Sequence, residues 1–237
     1  MLDRFTQQAV MQVLQRRWEP TFSEPSQGFG PQRSAPQAVA KVQQHIAAGH
    51  RWVVDLDLEK FFDRVNHDKR MAAISGRVTD KRVLRLIGAF WKVGVLEKGL
   101  VSPAGEGTAQ GGPLSPLLSN SVLEELDREL ERGKRRFVRY AEDCNIYVRS
   151  RRAGQRVKTN ITRFLTRRLQ RRVNEAKSAV ARPETGKFLG FSFSNNKEAK
   201  RRIAPKALLR CKQKIRERTR RTRGISLEQM LKQRTAY

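Results

Sequence analysis

The sequence predicts an α+β fold whose largely antiparallel sheet is covered by helices on one face. Three observations predict it. Apolar and polar residues alternate at 52–58, 136–149 and 188–193, the period of half-buried strands. Between these stretches, apolar residues recur at helical spacing over 117–131 and 155–171, as amphipathic helices require. Strands and helices thus interleave along a chain of 237 residues, enough for one large domain or two small ones with a real core.

Taken in order, 4–18 reads as an amphipathic helix with Phe5, Ala9, Val10, Val13 and Leu14 on one side. The stretch 19–36 is rich in Pro, Ser and Gly and should be irregular; 38–48 is helical again. In the first strand Trp52, Val54, Leu56 and Leu58 alternate with Val53, Asp55 and Asp57. A helical region then carries Leu84, Leu86, Ile87 and Phe90. A glycine-rich turn at 107–113 enters a helix bearing Leu118, Val122, Leu123, Leu126 and Leu130, with a charged opposite face. Arg136–Tyr140 and Asn145–Arg149 are strands flanking a hairpin-like turn of Ala141, Glu142, Asp143 and Cys144. Val157, Ile161, Leu165 and Leu169 mark another helix, and 188–193 is the last strand. From 197 to 223, 13 of 27 residues are Lys or Arg. Ser226 and Gln229 then frame a capping box that opens a further helix.

The charge balance narrows the partners. Fifty Lys and Arg against 23 acidic residues give a formal net charge of +27, which predicts a polyanion whose binding weakens steeply with salt. Nucleic acid fits better than a membrane surface, because the cations are spread along the whole chain. No apolar run approaches the roughly 18 residues that span a bilayer, and the start Met-Leu-Asp-Arg does not read as a signal peptide. Two cysteines, Cys144 and Cys211, lack metal-ligand spacing. They suit a reduced, cytoplasmic setting and argue against a zinc finger.

Three short segments carry chemistry. Val-Val-Asp-Leu-Asp-Leu-Glu-Lys-Phe-Phe-Asp (53–63) puts Asp57 at the C-terminal end of a strand that should be buried. A charge there costs several kcal/mol unless it is paired or metal-bound. Gly-Thr-Ala-Gln-Gly-Gly-Pro-Leu-Ser-Pro-Leu-Leu (107–118) is a tight turn whose glycines permit close backbone approach to a ligand. Arg-Tyr-Ala-Glu-Asp-Cys (139–144) places two acids in a turn between strands. Acidic strand ends converging on divalent metal, beside a glycine turn, are what metal-assisted phosphoryl transfer needs.

In this order and with these neighbours, the segments resemble the palm motifs of reverse transcriptases, most closely those encoded by bacterial group II introns. The resemblance implies a right-hand polymerase palm, with partial fingers over 1–48, palm over 49–194 and the start of a maturase-like thumb over 195–237. It implies that two Mg2+ ions are held by Asp57, the Leu58 carbonyl, Glu142 and Asp143. Phe62 matches the aromatic gate that excludes a 2′-hydroxyl, so deoxynucleotides are the implied substrate. Gln110 and Gly111 match the floor under the incoming nucleotide. Val-Asn-Glu-Ala-Lys-Ser (173–178) resembles the segment whose lysine, here Lys177, protonates the leaving pyrophosphate. Phe188, Leu189 and Gly190 resemble the primer grip, and the basic stretch with Lys206, Arg210 and Lys214 resembles the palm-to-thumb entry that tracks a nucleic-acid backbone. Asp55 and Asp63 are read as supporting or surface acids. The implied partners are an RNA template, intron RNA, a DNA primer and deoxynucleotides, in a bacterial cytoplasm.

The chain also departs from the family pattern. Ala109 stands where the family usually has Pro, and Glu142 stands where it has the first Asp of Tyr-Ala-Asp-Asp. Residues 26–36 match a stretch reading Ser-Tyr-Gly-Phe-Arg-Pro-x-Arg-Ser-Ala-His, with Gln27, Gly30 and Pro36 at altered positions. Only Arg33 remains as a basic anchor for the nucleotide. Met1 joins the pattern partway through the fingers, and the thumb pattern stops inside its second helix. The expectation is an RNA-directed DNA polymerase fold with weakened synthesis; the alternative is an RNA-binding maturase-like protein, or a remnant, that has lost it.

Overall fold

The computed structural model describes residues 2–57, 71–72, 74–92, 96–97, 100–101, 112–168 and 178–219. The first amphipathic stretch forms helix α1 (Leu2–Trp18). Of its predicted apolar side, Leu14 is buried while Phe5 and Val13 are exposed. Leu14, Trp18 and Phe22 pack with Ile87 of α3 (Lys81–Lys92) and with Leu117 and Leu118 of α4 (Ser115–Arg132). Helix α2 (Ala35–Ala47) starts at Ser34, whose hydroxyl accepts from the Gln37 amide at 3.4 Å and satisfies one of its orphan donors.

Four strands form the main sheet: β1 (Trp52–Asp57), β4 (Arg136–Tyr140), β5 (Asp143–Val148) and β6 (Ala179–Ala181). Their order is β4-β5-β1-β6, antiparallel at every pairing. β1 and β4 therefore run the same way with β5 inserted between them, a split βαβ arrangement. Helix α5 (Arg151–Arg167), capped by Ser150, leads from β5 towards β6. Two short pairs lie outside this sheet, β2 (Leu96–Glu97) with β3 (Leu100–Val101), and β7 (Phe191–Phe193) with β8 (Arg201–Ile203). The last described helix is α6 (Pro205–Thr219).

The period-2 pattern divides the sheet into two apolar faces. Val54, Leu56, Cys144, Ile146 and Val148 pack with Leu123, Leu126 and Leu130 of α4 and Val157, Ile161 and Leu165 of α5. Each such side chain, buried in full, contributes about 1.5–3 kcal/mol. The opposite face carries Val53, Val138 and Tyr147, covered by Val39, Val42 and Ile46 of α2 and by Phe188 and Phe193. Helices therefore cover both faces rather than one. The apolar residues at 53, 138 and 147 require cover of their own.

Three further expectations are corrected. The stretch 188–193 is not one strand: Phe188 and Phe191 exchange backbone hydrogen bonds of 2.9 Å around Leu189 and Gly190. Both of these have positive φ, 50° and 86°, as a type I′ turn demands. The fourth strand of the sheet is instead β6, which was not anticipated. The hairpin loop is also shorter than expected, because Tyr140 pairs directly with Asp143. Only Ala141 and Glu142 remain in the turn.

Candidate active site

The register of β1 on β5 builds the site. Leu56 lies opposite Cys144, and Asp57 opposite Asp143. Cross-strand partners share a face of the sheet, so the Asp57 and Asp143 positions sit side by side at the end where β1 stops. Glu142 precedes Asp143 in the two-residue turn, and both are exposed. The expected gathering of positions 57, 142 and 143 at one end of the palm sheet is thus present in the backbone. The Asp57 side chain lies outside the described residues, as do Leu58, Phe62, Gln110, Gly111 and Lys177, so the roles expected of them stay expectations.

The surroundings suit a hard cation. Asp55, on the same face and two residues back from Asp57, accepts from the Asn145 amide at 2.9 Å once that amide is oriented to satisfy both partners. Asp55 is thus engaged across the β1–β5 pair. The neighbouring thiol is not a ligand: Cys144 points into the opposite face, fully buried, and burial, reinforced by the charge of Asp127, pushes its pKa up. Oxygen donors remain, which is the set that magnesium or calcium takes. Among the described side chains no three of His, Cys, Asp and Glu form a metal cluster.

Arg33 has a different setting from the one expected. Its guanidinium pairs with Glu19 at 2.7 Å and donates to the carbonyls of Ser23, at 2.7 Å, and Ser26. It clasps the irregular segment 19–33 together, and a nucleotide would have to compete with those partners. Phe188 is buried against Val53, Val138 and Tyr147, and Tyr140 and Leu189 pack against the same cluster. The 188–190 turn and the 140–143 turn therefore rest on one apolar floor. Lys206, Arg210 and Lys214 are exposed along α6 at four-residue spacing, one stripe of a helix.

Sequence reasoning missed the residues beneath the turn. Arg139 is fully buried, and its guanidinium forks onto Asp127 of α4 at 2.8 and 2.6 Å. Burial alone would lower its pKa, but the charge and hydrogen bonds of Asp127 outweigh that and raise it. Two signals pointed there: an arginine between Val138 and Tyr140 inside β4, and an acid four residues after Leu123 and three before Leu130. Those spacings put Asp127 on the buried stripe of α4. Glu124, also buried, is held by Arg77 and Arg128.

The family model for reverse transcriptase (RNA-dependent DNA polymerase) matches residues 1–193. The chain belongs to the reverse transcriptase family. Among curated proteins it is 38% identical over 132 residues to Protein YkfC of Escherichia coli, covering 54% of this chain and 35% of that protein. It is 37% identical over 137 residues to the group II intron-encoded protein LtrA of Lactococcus lactis, covering 58% of this chain and 23% of that one. The chain thus spans only 35% and 23% of the length of these two relatives. Apo telomerase from Candida tropicalis superposes with a TM-score of 0.60 at 13% identity, over 84% of this chain and 40% of that one. Telomerase from Candida albicans, in complex with a fragment of telomeric RNA, gives 0.58 at 13% identity, over 97% and 44%. At that identity the likeness establishes the fold, a reverse transcriptase palm of antiparallel sheet and helices. Reverse transcriptases as a family use divalent metal ions. Among the described residues, no helix is long and apolar enough to cross a membrane.

Proposed function

We propose that this chain carries the core of an RNA-directed DNA polymerase of group II intron type, which extends a DNA primer on an RNA template and binds intron RNA. The observation that carries the reading is the register of Asp57 on Asp143 beside the turn that bears Glu142. Two magnesium ions held there by Asp57, the Leu58 carbonyl, Glu142 and Asp143 would, when bound, stabilise the charge that develops in phosphoryl transfer. The chain's own residues supply the rest. Lys177 gives a proton to the departing pyrophosphate. Phe62 excludes a 2′-hydroxyl, and Gln110 and Gly111 support the incoming deoxynucleotide. The turn at 188–190 positions the primer end, and the cations of α6 follow the nucleic-acid backbone. The division into fingers (1–48), palm (49–194) and thumb (195–237) belongs to the same reading.

Glu142 sets the expected rate. Its extra methylene moves a carboxylate by about 1 Å, a displacement that can cost about 10²-fold. Primer extension on an RNA template with deoxynucleotides and Mg2+ tests this. The chain as it stands should extend weakly or undetectably. At saturating deoxynucleotide, so that nucleotide affinity does not limit, Glu142→Asp should raise synthesis by about 10², and Asp57→Ala should abolish it without altering RNA binding. Synthesis that survives Asp57→Ala would overturn the reading. A second reading, an RNA-binding protein of the same fold that has lost synthesis, is favoured by Glu142 itself. It predicts RNA binding with no extension, with or without Glu142→Asp.

A further inference from the structure

The Ala141–Glu142 turn is built under strain. Ala141 has φ of 54°, a left-handed conformation that a residue with a Cβ disfavours. Such a conformation persists only where the surroundings impose it, and here they do so from two sides.

From below, the buried Arg139 guanidinium reaches four groups at once. Besides its fork onto Asp127, it donates to the Ala141 carbonyl at 2.9 Å, to Asn120 Oδ1 at 3.1 Å and to Ser26 Oγ at 2.6 Å. Asn120 uses its other end to donate to the Gly28 carbonyl at 2.8 Å. From outside, segment 25–28 runs alongside β4. The Arg139 amide donates to the Pro25 carbonyl at 3.0 Å, and the Gln27 amide donates to the Arg139 carbonyl at 2.7 Å. This brings Gly28 onto the turn so closely that a Cβ there would overlap the Ala141 nitrogen and lie 3.2 Å from its Cα.

We propose that Arg139 is a positioning residue of the active site: with Asn120, Ser26 and Gly28 it clamps the strained Ala141–Glu142 turn, and so sets where the Glu142 and Asp143 carboxylates meet a divalent cation. The inference rests on the polymerase reading only in its last step, the cation. The clamp is a property of the chain itself. An ion pair serving stability alone would need Asp127 and nothing more. The guanidinium is instead shared between the helix, the 25–28 segment and the turn, and only its planar fork of five donors can do this.

Arg139→Lys separates the two roles. Lysine keeps a charge against Asp127 but cannot also span Ala141, Ser26 and Asn120. Two readouts on the full chain are informative: amide exchange at Tyr140 and Asp143, the pair that closes the turn, against Val54 and Ile146 in the middle of the sheet, and Mn2+ affinity by electron paramagnetic resonance. Exchange at the turn should quicken by about tenfold or more while the middle of the sheet keeps its protection, and Mn2+ affinity should fall by about tenfold. Gly28→Ala leaves the buried ion pair intact and pushes the turn from the other side, so it should reproduce both effects even if Arg139→Lys fails to fold. Exchange that rises uniformly across the sheet in both variants, or that stays at the wild-type rate in Gly28→Ala, would overturn the proposal. Wild-type chain that binds no Mn2+ would refute the polymerase reading, and the exchange pattern would still decide the clamp.

Discussion

Removing the stripe on α6 should change the salt dependence of RNA binding by a calculable amount. Lys206, Arg210 and Lys214 are all exposed on this helix. At 1.5 Å rise per residue, their eight-residue span covers about 12 Å. Phosphates of one strand are spaced about 3.4 Å along a duplex axis, so about three can be met at once. Each neutralised phosphate adds about 0.7–0.9 to the slope of log K against log salt, or about 2–3 for the stripe. Between about 50 and 200 mM salt those three contacts alone account for about a 20–40-fold loss of affinity. The triple variant Lys206→Ala, Arg210→Ala, Lys214→Ala should therefore bind a structured RNA with a slope shallower by about 2–3, measured by fluorescence anisotropy across a salt series. The net charge of +27 leaves many other cations, so binding should weaken rather than vanish. An unchanged slope would refute the assignment of this helix to the nucleic-acid surface.

Other outcomes follow from the buried polar groups. Asp127→Ala strands the Arg139 charge inside the domain and should cost about 3–5 kcal/mol in denaturant unfolding. Replacing both, as Asp127→Leu with Arg139→Met, should recover most of that loss in stability while leaving the 140–143 turn unclamped. His45 is buried against Tyr147, and burial first, then the nearby positive groups, lowers its pKa to about 4. Its folded pKa lies below the unfolded value of 6.5, so the unfolded chain binds the extra proton between these values. Stability should accordingly fall as pH drops from about 6.5 towards 4. His45→Asn should flatten that part of the profile, and an identical pH dependence in the variant would contradict the assignment. Gly190→Ala should cost about 1–2 kcal/mol, because Gly190 has φ of 86° even though there is open space for the methyl group.

The first strand was legible because Asp55 and Asp57 fall at alternate positions among Val54 and Leu56. The apolar runs Val53–Val54 and Phe137–Val138 mark strands whose two sides meet different cores, and the acids at 57, 142 and 143 stand out at the strand ends. β6 was hidden because Ala179, Val180 and Ala181 are too few and too small to display a period. Phe188 and Phe191 misled in the opposite way: they look like one alternating strand, yet they face each other across a turn whose left-handed residues, Leu189 and Gly190, only the backbone reveals. The clamp was only half legible. Spacing from Leu123 and Leu130 puts Asp127 on the buried stripe of α4, but its partner, on a strand 12 residues later, meets it only in the folded chain. Arg33 shows the same limit, since a family pattern gives the residue type while the fold assigns its hydrogen bonds.

If positions 57, 142 and 143 form one divalent-cation site, titration of the full chain with Mn2+, followed by electron paramagnetic resonance, should report it. Binding to the wild-type chain should be saturable and should weaken by about tenfold or more, a change of about 1.4 kcal/mol, in Asp57→Asn and again in Asp143→Asn, with RNA affinity held. Binding that is equal in wild type and in both variants would contradict it.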